Sequence, residues 1–313
     1  MASCLNKPAI WSFKQVLEMT TKKFVIWTIP QTLEKIDSKL KVDIILFPEY
    51  PDCDIENIVV IGGGVLIDTA KVWRVKKSPK TKLIVIPSIW GSGAENSPIA
   101  VLNEVSGKRY FIGDEYLPDV RVIWPSIVEG IDQNLLSNAC GDVWAHALEG
   151  FCSPLADANT RSDLAGVING IIDLPYNMAE SWFEMSARAC RGQANSSVGL
   201  IHGMAHVLEP ILNSDNPNQK YGHAAICSTL LAPVLSFNLS SSTKCQKLFD
   251  EYHIDLEKVR GNVLKLFSQN VFNHLKPAFT KAWMQILRDP SSRTNSVLVK
   301  RDSLKYFEGY AHK

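Results

Sequence analysis

The chain has 313 residues, 46% hydrophobic and 21% charged, the composition of a folded globule with enough apolar material for a sizeable core. Its 33 Lys+Arg against 32 Asp+Glu leave a formal charge of +1, so no basic excess points to nucleic acid and no acidic tail to a solvating role. No uninterrupted apolar run reaches the roughly 18 residues of a membrane span, and the opening MASCLNKPAIWSFKQ has no long apolar stretch of the secretory kind. Seven cysteines (Cys4, Cys53, Cys140, Cys152, Cys190, Cys227 and Cys245) include no C-x-x-C pair, which predicts free thiols in a reducing compartment and a cytoplasmic protein.

Along the chain, short β-branched runs come first: Phe24–Thr28, Val42–Phe47, Ile58–Ile61 and Leu83–Ile86. Near-continuous apolar runs of this length fit buried strands of a parallel sheet. Helical stretches interleave at Gln31–Leu40 and Val65–Val75, and such alternation predicts an α/β domain over residues 1–130. Beyond it, amphipathic segments at Asn134–Cys152, Arg161–Ile172, Ser181–Leu208, Ala224–Phe237 and Asp255–Asn273 predict an all-helical domain over residues 131–313. Asn213–Gln219 reads as a loop from its turn chemistry. The junction PEYPDCDIE between Val42–Phe47 and the next strand is too short for a crossover helix. Either these strands are not parallel neighbours, or the domain has lost a helix.

Within this frame, Ile61-Gly62-Gly63-Gly64-Val65-Leu66-Ile67-Asp68-Thr69-Ala70-Lys71 joins a strand to a helix. Glycines let the backbone approach a ligand, and a helix start offers N–H groups and a positive dipole end to a pyrophosphate. The sequence is not G-x-G-x-x-G, and a glycine turn with no ligand fits it equally. A second loop, Pro87-Ser88-Ile89-Trp90-Gly91-Ser92-Gly93-Ala94-Glu95, again follows a strand and is rich in small and hydroxyl residues. It also reads as an ordinary loop with a serine cap.

Asp142 and His146, four apart in GDVWAHALE, share a helix face and can chelate a divalent ion, or can simply hydrogen-bond to each other. His202 and His206 repeat the spacing in GLIHGMAH, and His223 follows in GHAAIC. Four histidines and an aspartate in apolar helical contexts need partners, and a metal satisfies several at once. His253, His274 and His312 lie in polar or terminal contexts and read as surface residues. Trp90, Trp144 and Phe151 could wall a pocket or belong to the core.

Taken together and in order, these motifs resemble the iron-containing (group III) alcohol dehydrogenase family, of the dehydroquinate synthase-like superfamily. GGGVLIDTAK is similar to the family's G-G-G-S-x-x-D-x-A-K, PSIWGSGAE to P-T-T-x-G-T-G-S-E, DVWAHALE to D-A-L-T-H-A-I-E, GLIHGMAH to G-L-V-H-A-M-A-H, and HAAICSTLLAP to H-G-A-x-C-A-A-L-L-P. The likeness runs from about residue 57 to the closing DPSSRTNSVLVKRDSLKYF. It implies an α/β dinucleotide-binding domain, shortened here, and an all-α metal-binding domain.

Carried over, the resemblance makes Asp142, His146, His202 and His223 the ligands of Fe²⁺ or Zn²⁺, and His206 the residue that relays the substrate's proton. Gly62, Gly63, Gly64, Val65, Asp68, Ser88 and Ser92 would serve NAD(H) or NADP(H), with Arg109 where the family often has lysine. The implied activity is hydride transfer between the nicotinamide and a small alcohol or aldehyde. A sheet edge left bare by a missing helix would invite pairing into a homodimer. The sequence departs from the family pattern at Val65, at Ala224, at Ile29 (where many NAD-using members carry aspartate) and in the longer interval from His202 to His223. Two other readings are a lyase or cyclase of the dehydroquinate synthase type, which would begin its ligand set with Glu and show a basic cluster, and a shortened paralogue that binds metal or nucleotide without turnover.

Overall fold

The computed structural model describes residues 7–18, 24–36, 42–53, 55–104, 107–215 and 220–310. Two compact units make up the chain: Met1–Ile131 with Met178–Ala187, and Asp132–Asn177 with Arg188–Lys313.

In the first unit the described elements are β1 (Ala9–Ser12), α1 (Phe13–Glu18), β2 (Phe24–Thr28), α2 (Pro30–Leu33), β3 (Asp43–Leu46), β4 (Asn57–Gly62), α3 (Gly64–Lys77), β5 (Lys82–Pro87), the strands β6 (Ile99–Glu104) and β7 (Gly107–Ile112), and β8 (Val120–Ile123). Six strands form a parallel sheet in the order β1-β8-β5-β4-β2-β3, and β6 with β7 makes a separate antiparallel hairpin. The central strands β4 and β5 are buried along nearly their whole length, which is why they read as unbroken apolar runs. Trp27, Ile58, Val60, Leu83 and Val85 of the sheet pack with Leu66, Ile67, Ala70 and Trp73 of α3 into one core cluster.

The short junction resolves in favour of strands that are not neighbours. β3 and β4 both pair parallel to β2, on its opposite sides, Ile26 standing against Ile44 on one and Val59 on the other. The expected helix Gln31–Leu40 is a single turn, α2, opened by Pro30, whose missing N–H costs nothing at a first helical position; residues 37–40 lie outside the described ones. β1, β8 and the β6–β7 hairpin were not anticipated.

The second unit is helical: α4 (Gln133–Cys152), α5 (Ala158–Ile171), the later part of α6 (Ala179–Ser196), α7 (Leu200–Asp215), α8 (His223–Ser241), α9 (Lys244–Glu251), α10 (Leu256–Lys265), α11 (Gln269–Arg288), α12 (Pro290–Arg293) and α13 (Leu304–Gly309). Two expected helices are each divided. Ser181–Leu208 breaks at Ser197, whose φ of 143° no helix accommodates and whose hydroxyl lies 2.9 Å from that of Thr294. Asp255–Asn273 breaks where Ser268 caps a new helix by accepting from the N–H of Val271 at 3.3 Å. Of the loop expected at Asn213–Gln219, residues 213–215 end α7 and 216–219 lie outside the described residues.

Among the described residues one helix, His223–Ser241, is long and apolar enough to cross a membrane, although it holds no uninterrupted apolar run of that length. It is a mostly buried core helix packed against α4 and α7. None of the described cysteines is in a disulfide. Trp90, Trp144 and Phe151 are buried core residues; Trp90 stacks on Trp182 with ring centroids 6.0 Å apart.

Candidate metal centre

Helix α4 starts where Asp132 accepts from the N–H groups of Asn134 (2.8 Å) and Leu135 (3.3 Å), and it then runs almost wholly buried from Ala139 to Cys152. Burial on all sides leaves its polar side chains dependent on internal partners. Asp142, His146 and Glu149 fall at i, i+4 and i+7, on a single stripe of this helix. The spacing repeats on α7 with His202, His206 and Glu209, and α8 opens with His223 and places Cys227 one turn on.

A close helix crossing brings the stripes together. A Cβ added to Gly141 would stand 2.4 Å from the side chain of Ser228 and 2.8 Å from its Cα, so glycine is what lets α4 approach the backbone of α8 there. Asp142 and Cys227 are the immediate neighbours of these two positions. The donor atoms of Asp142, His202, His223 and Cys227 all lie within 4.8 Å of one another. His202 Nε2 is 3.8 Å and His146 Nδ1 is 4.0 Å from the same Asp142 Oδ1. Ligands held about 2.0–2.3 Å from a tetrahedral ion stand roughly 3.3–3.8 Å apart, so these spacings need little contraction to embrace one. Asp142 Oδ1 is itself buried with no hydrogen-bond partner, an expensive arrangement that a cation would relieve. One carboxylate, imidazoles and a thiol suit Fe²⁺ or Zn²⁺ chemistry.

The rings of His146 and His202 have centroids 4.6 Å apart, and those of His202 and His223 5.5 Å apart. The long interval between His202 and His223 is taken up by the continuation of α7 to Asp215 before the chain returns at α8. His223 is the most open member, its Nδ1 3.3 Å from Glu209 Oε2 and its Nε2 3.5 Å from Cys227 Sγ. His206 stacks over His223 at 5.7 Å.

Three residues at this site escaped the reading of the sequence. Cys227 is fully buried among the donors. Asp289 places Oδ2 3.4 Å from His206 Nδ1 and accepts from the N–H of Ser291 at 2.8 Å, which caps α12. Burial alone would raise its carboxyl, but the bond and charge of His206 and the Ser291 donors outweigh that and hold it below the ordinary aspartate range. Glu149 accepts from the N–H of Ile201 at 2.5 Å, and its Oε2 lies 2.7 Å from His202 Nδ1. Burial pushes the Glu149 carboxyl up to about 8, against N–H donation from Gly199, Ile201 and His202 and with the Asp142 charge adding to the rise. The Asp–Pro–Ser sequence at 289–291 is a helix-start signal that could have drawn attention to Asp289.

In the first unit, the two predicted loops meet. Ser88 N–H donates to Gly62 O at 2.9 Å, and a Cβ added to Gly64 would come within 2.7 Å of Ser92 Oγ. Gly63 caps α3, and the Val65 side chain is 61% exposed at its first turn, leaving the helix N-terminus accessible. Asp68 is engaged elsewhere: its carboxylate takes Lys71 Nζ and the N–H of Val101, each at 3.0 Å, tying α3 to β6. Arg109, on β7, lies over the Phe111 ring at 5.0 Å.

Comparison with known proteins points one way. A family model for iron-containing alcohol dehydrogenase matches residues 46–125. Aldehyde-alcohol dehydrogenase 2 of Entamoeba histolytica is 27% identical over 187 residues, 48% of this chain and 22% of that one. A probable alcohol dehydrogenase of Salmonella typhimurium is 26% identical over 213 residues, 59% of this chain and 52% of that one. The matched regions thus span from about a fifth to about half of these curated relatives. The fold extends further: the structure of an iron-containing alcohol dehydrogenase from Thermococcus thioreducens superposes with a TM-score of 0.74 at 17% identity, covering 99% of this chain and 100% of that one. The parallel α/β sheet and the helical unit share the fold of that solved structure, and residues 46–125 match the family model for iron-containing alcohol dehydrogenase.

Proposed function

We propose that this chain is a metal-dependent oxidoreductase that moves hydride between NAD(H) or NADP(H) and a small alcohol or aldehyde. The observation that carries the reading is the convergence of Asp142, His202 and His223 around a buried, unsatisfied carboxylate oxygen, with His146 at the rim of the same cluster. Asp142, His146, His202 and His223 would hold the ion. A bound Fe²⁺ or Zn²⁺ supplies Lewis-acid polarisation of a substrate oxygen, and the nicotinamide supplies or accepts the hydride.

The protein's own groups do the rest. Gly63, Gly64 and Val65 present the N-terminus of α3 to a pyrophosphate, with Ser88 and Ser92 beside it. In this reading Asp68 braces that helix through Lys71 and Val101 and does not touch the cofactor. His206 exchanges the alcohol's proton, and Asp289 fixes the orientation of its ring.

Similarity to a 4-hydroxybutyrate dehydrogenase of Clostridium kluyveri supports trying small oxygenated carbon compounds first. The test is to load purified protein with Fe²⁺ or Zn²⁺ and follow NADH and NADPH oxidation over a panel of small aldehydes. Metal-dependent oxidation of either cofactor is expected. Binding of metal and nucleotide with no turnover on any aldehyde would favour a non-catalytic paralogue.

A further inference from the structure

Glu149 is buried at the inner end of the α4 stripe, 7% exposed, and contacts the candidate ligand His202. Its two oxygens have separate tasks. Oε1 takes the N–H of Ile201 at 2.5 Å, in the first turn of α7, and Oε2 faces His202 Nδ1 at 2.7 Å. Beside a bound cation Glu149 is held ionised and has no proton to give, so the ring then presents N–H at Nδ1. That leaves the lone pair on Nε2, the nitrogen that stands 3.8 Å from Asp142 Oδ1.

From this geometry we propose that Glu149 is a positioning residue of the metal centre. It fixes both the tautomer and the direction of His202, so that Nε2 is presented to the ion, while its other oxygen anchors the start of the helix that carries the ring. The inference rests on the metal reading above. It adds a role for a residue that would not itself touch the ion.

Glu149→Gln separates the two tasks with no change of size. The amide keeps one oxygen. If the Ile201 N–H claims it, the NH₂ group faces His202 Nδ1 and requires that nitrogen to accept. The ring proton then moves to Nε2, where a ligand needs its lone pair. If instead the amide oxygen turns to His202, NH₂ opposes the N–H of Ile201.

The experiment is competition for Zn²⁺ between a chromophoric chelator and four full-length proteins: wild type, Glu149→Gln, His202→Ala and the double variant. Thermal unfolding of each in EDTA checks the fold. The expected result is roughly a 10- to 100-fold loss of Zn²⁺ affinity in Glu149→Gln, with no further loss when the same change is made in His202→Ala. Affinity unchanged in Glu149→Gln would overturn this inference and leave the metal site standing. An equal loss in both backgrounds would also overturn it, since the residue would then act without His202. Failure of the wild type to bind Zn²⁺ would remove the metal reading and this inference together. Should Glu149→Gln not fold, the ¹⁵N shifts of the His202 ring in zinc-loaded wild type decide the matter. A protonated Nδ1 supports the assignment, and a protonated Nε2 contradicts it.

Discussion

His206 Nδ1 lies 3.4 Å from Oδ2 of Asp289, and the same carboxylate group caps α12 through Ser291. One residue thus ends α11 through its backbone N–H, while its side chain starts α12 and faces the ring proposed for proton exchange. Asp289→Asn keeps the size and the cap but weakens the hold on His206. Proton transfer by a positioned side chain contributes roughly 10²- to 10⁴-fold to a rate, so loss of the orienting group should lower kcat by about tenfold or more. Bound metal should be unaffected. Steady-state kinetics with metal analysis of the same sample checks both halves.

The Asp289 carboxyl also gives a pH prediction. Its folded-state pKa is depressed, against the effect of burial, by His206 and the Ser291 donors. A depressed acid stabilises the fold above its unfolded pKa of about 3.9 and loses that contribution as pH falls through the folded value. The stability difference between wild type and Asp289→Asn should therefore shrink as pH falls below about 4. Urea unfolding across that range measures it, and a difference that grows on acidification would contradict the assignment.

At the glycine loop, the close approach of Gly64 to Ser92 predicts the effect of one methyl group. In Gly64→Ala the new Cβ would sit 2.7 Å from Ser92 Oγ, inside contact distance. Overpacking of this kind costs about 1–3 kcal/mol, which corresponds to roughly 5- to 150-fold weaker binding of NADH or NADPH when the loop reopens to admit the pyrophosphate. Fluorescence titration of either cofactor reads this directly. Unaltered affinity would mean that the glycine loop is structural.

Removing the ion should destabilise the protein. A cation present at about 100 times its Kd adds about 2.7 kcal/mol, and each kcal/mol moves the Tm of a unit this size by about 2–4 °C. EDTA should then lower Tm by roughly 5–10 °C, and Zn²⁺ or Fe²⁺ should restore it.

Much of the candidate site was legible because its elements are local. Asp142 with His146, and His202 with His206, are helix-face pairs that spacing alone reveals. The glycine turn before α3 stands out against the apolar strand β4. The α4 start was placed within one residue of Gln133 because the amphipathic stripe begins there. What escaped depends on partners far away in sequence. Glu149 gains its role from a histidine 53 residues further on, and Asp289 faces one at position 206. Cys227 read as a small buried hydrophobe, since nothing local marks it as standing beside Asp142 and His202. The break at Ser197 was hidden because the amphipathic pattern continues through it, and the edge strand β1 is short and mostly exposed. The β3–β4 junction shows the opposite case, where a connection too short for a helix already named non-adjacent strands as one of its two explanations.

The central claim is that Asp142, His146, His202 and His223 share one ion. It is tested most directly by metal analysis of purified wild type beside Asp142→Ala, His146→Ala and Cys227→Ser. The account predicts that wild type and Cys227→Ser retain close to one equivalent of Fe²⁺ or Zn²⁺, while Asp142→Ala and His146→Ala lose metal and activity together. Full metal content in Asp142→Ala would contradict it.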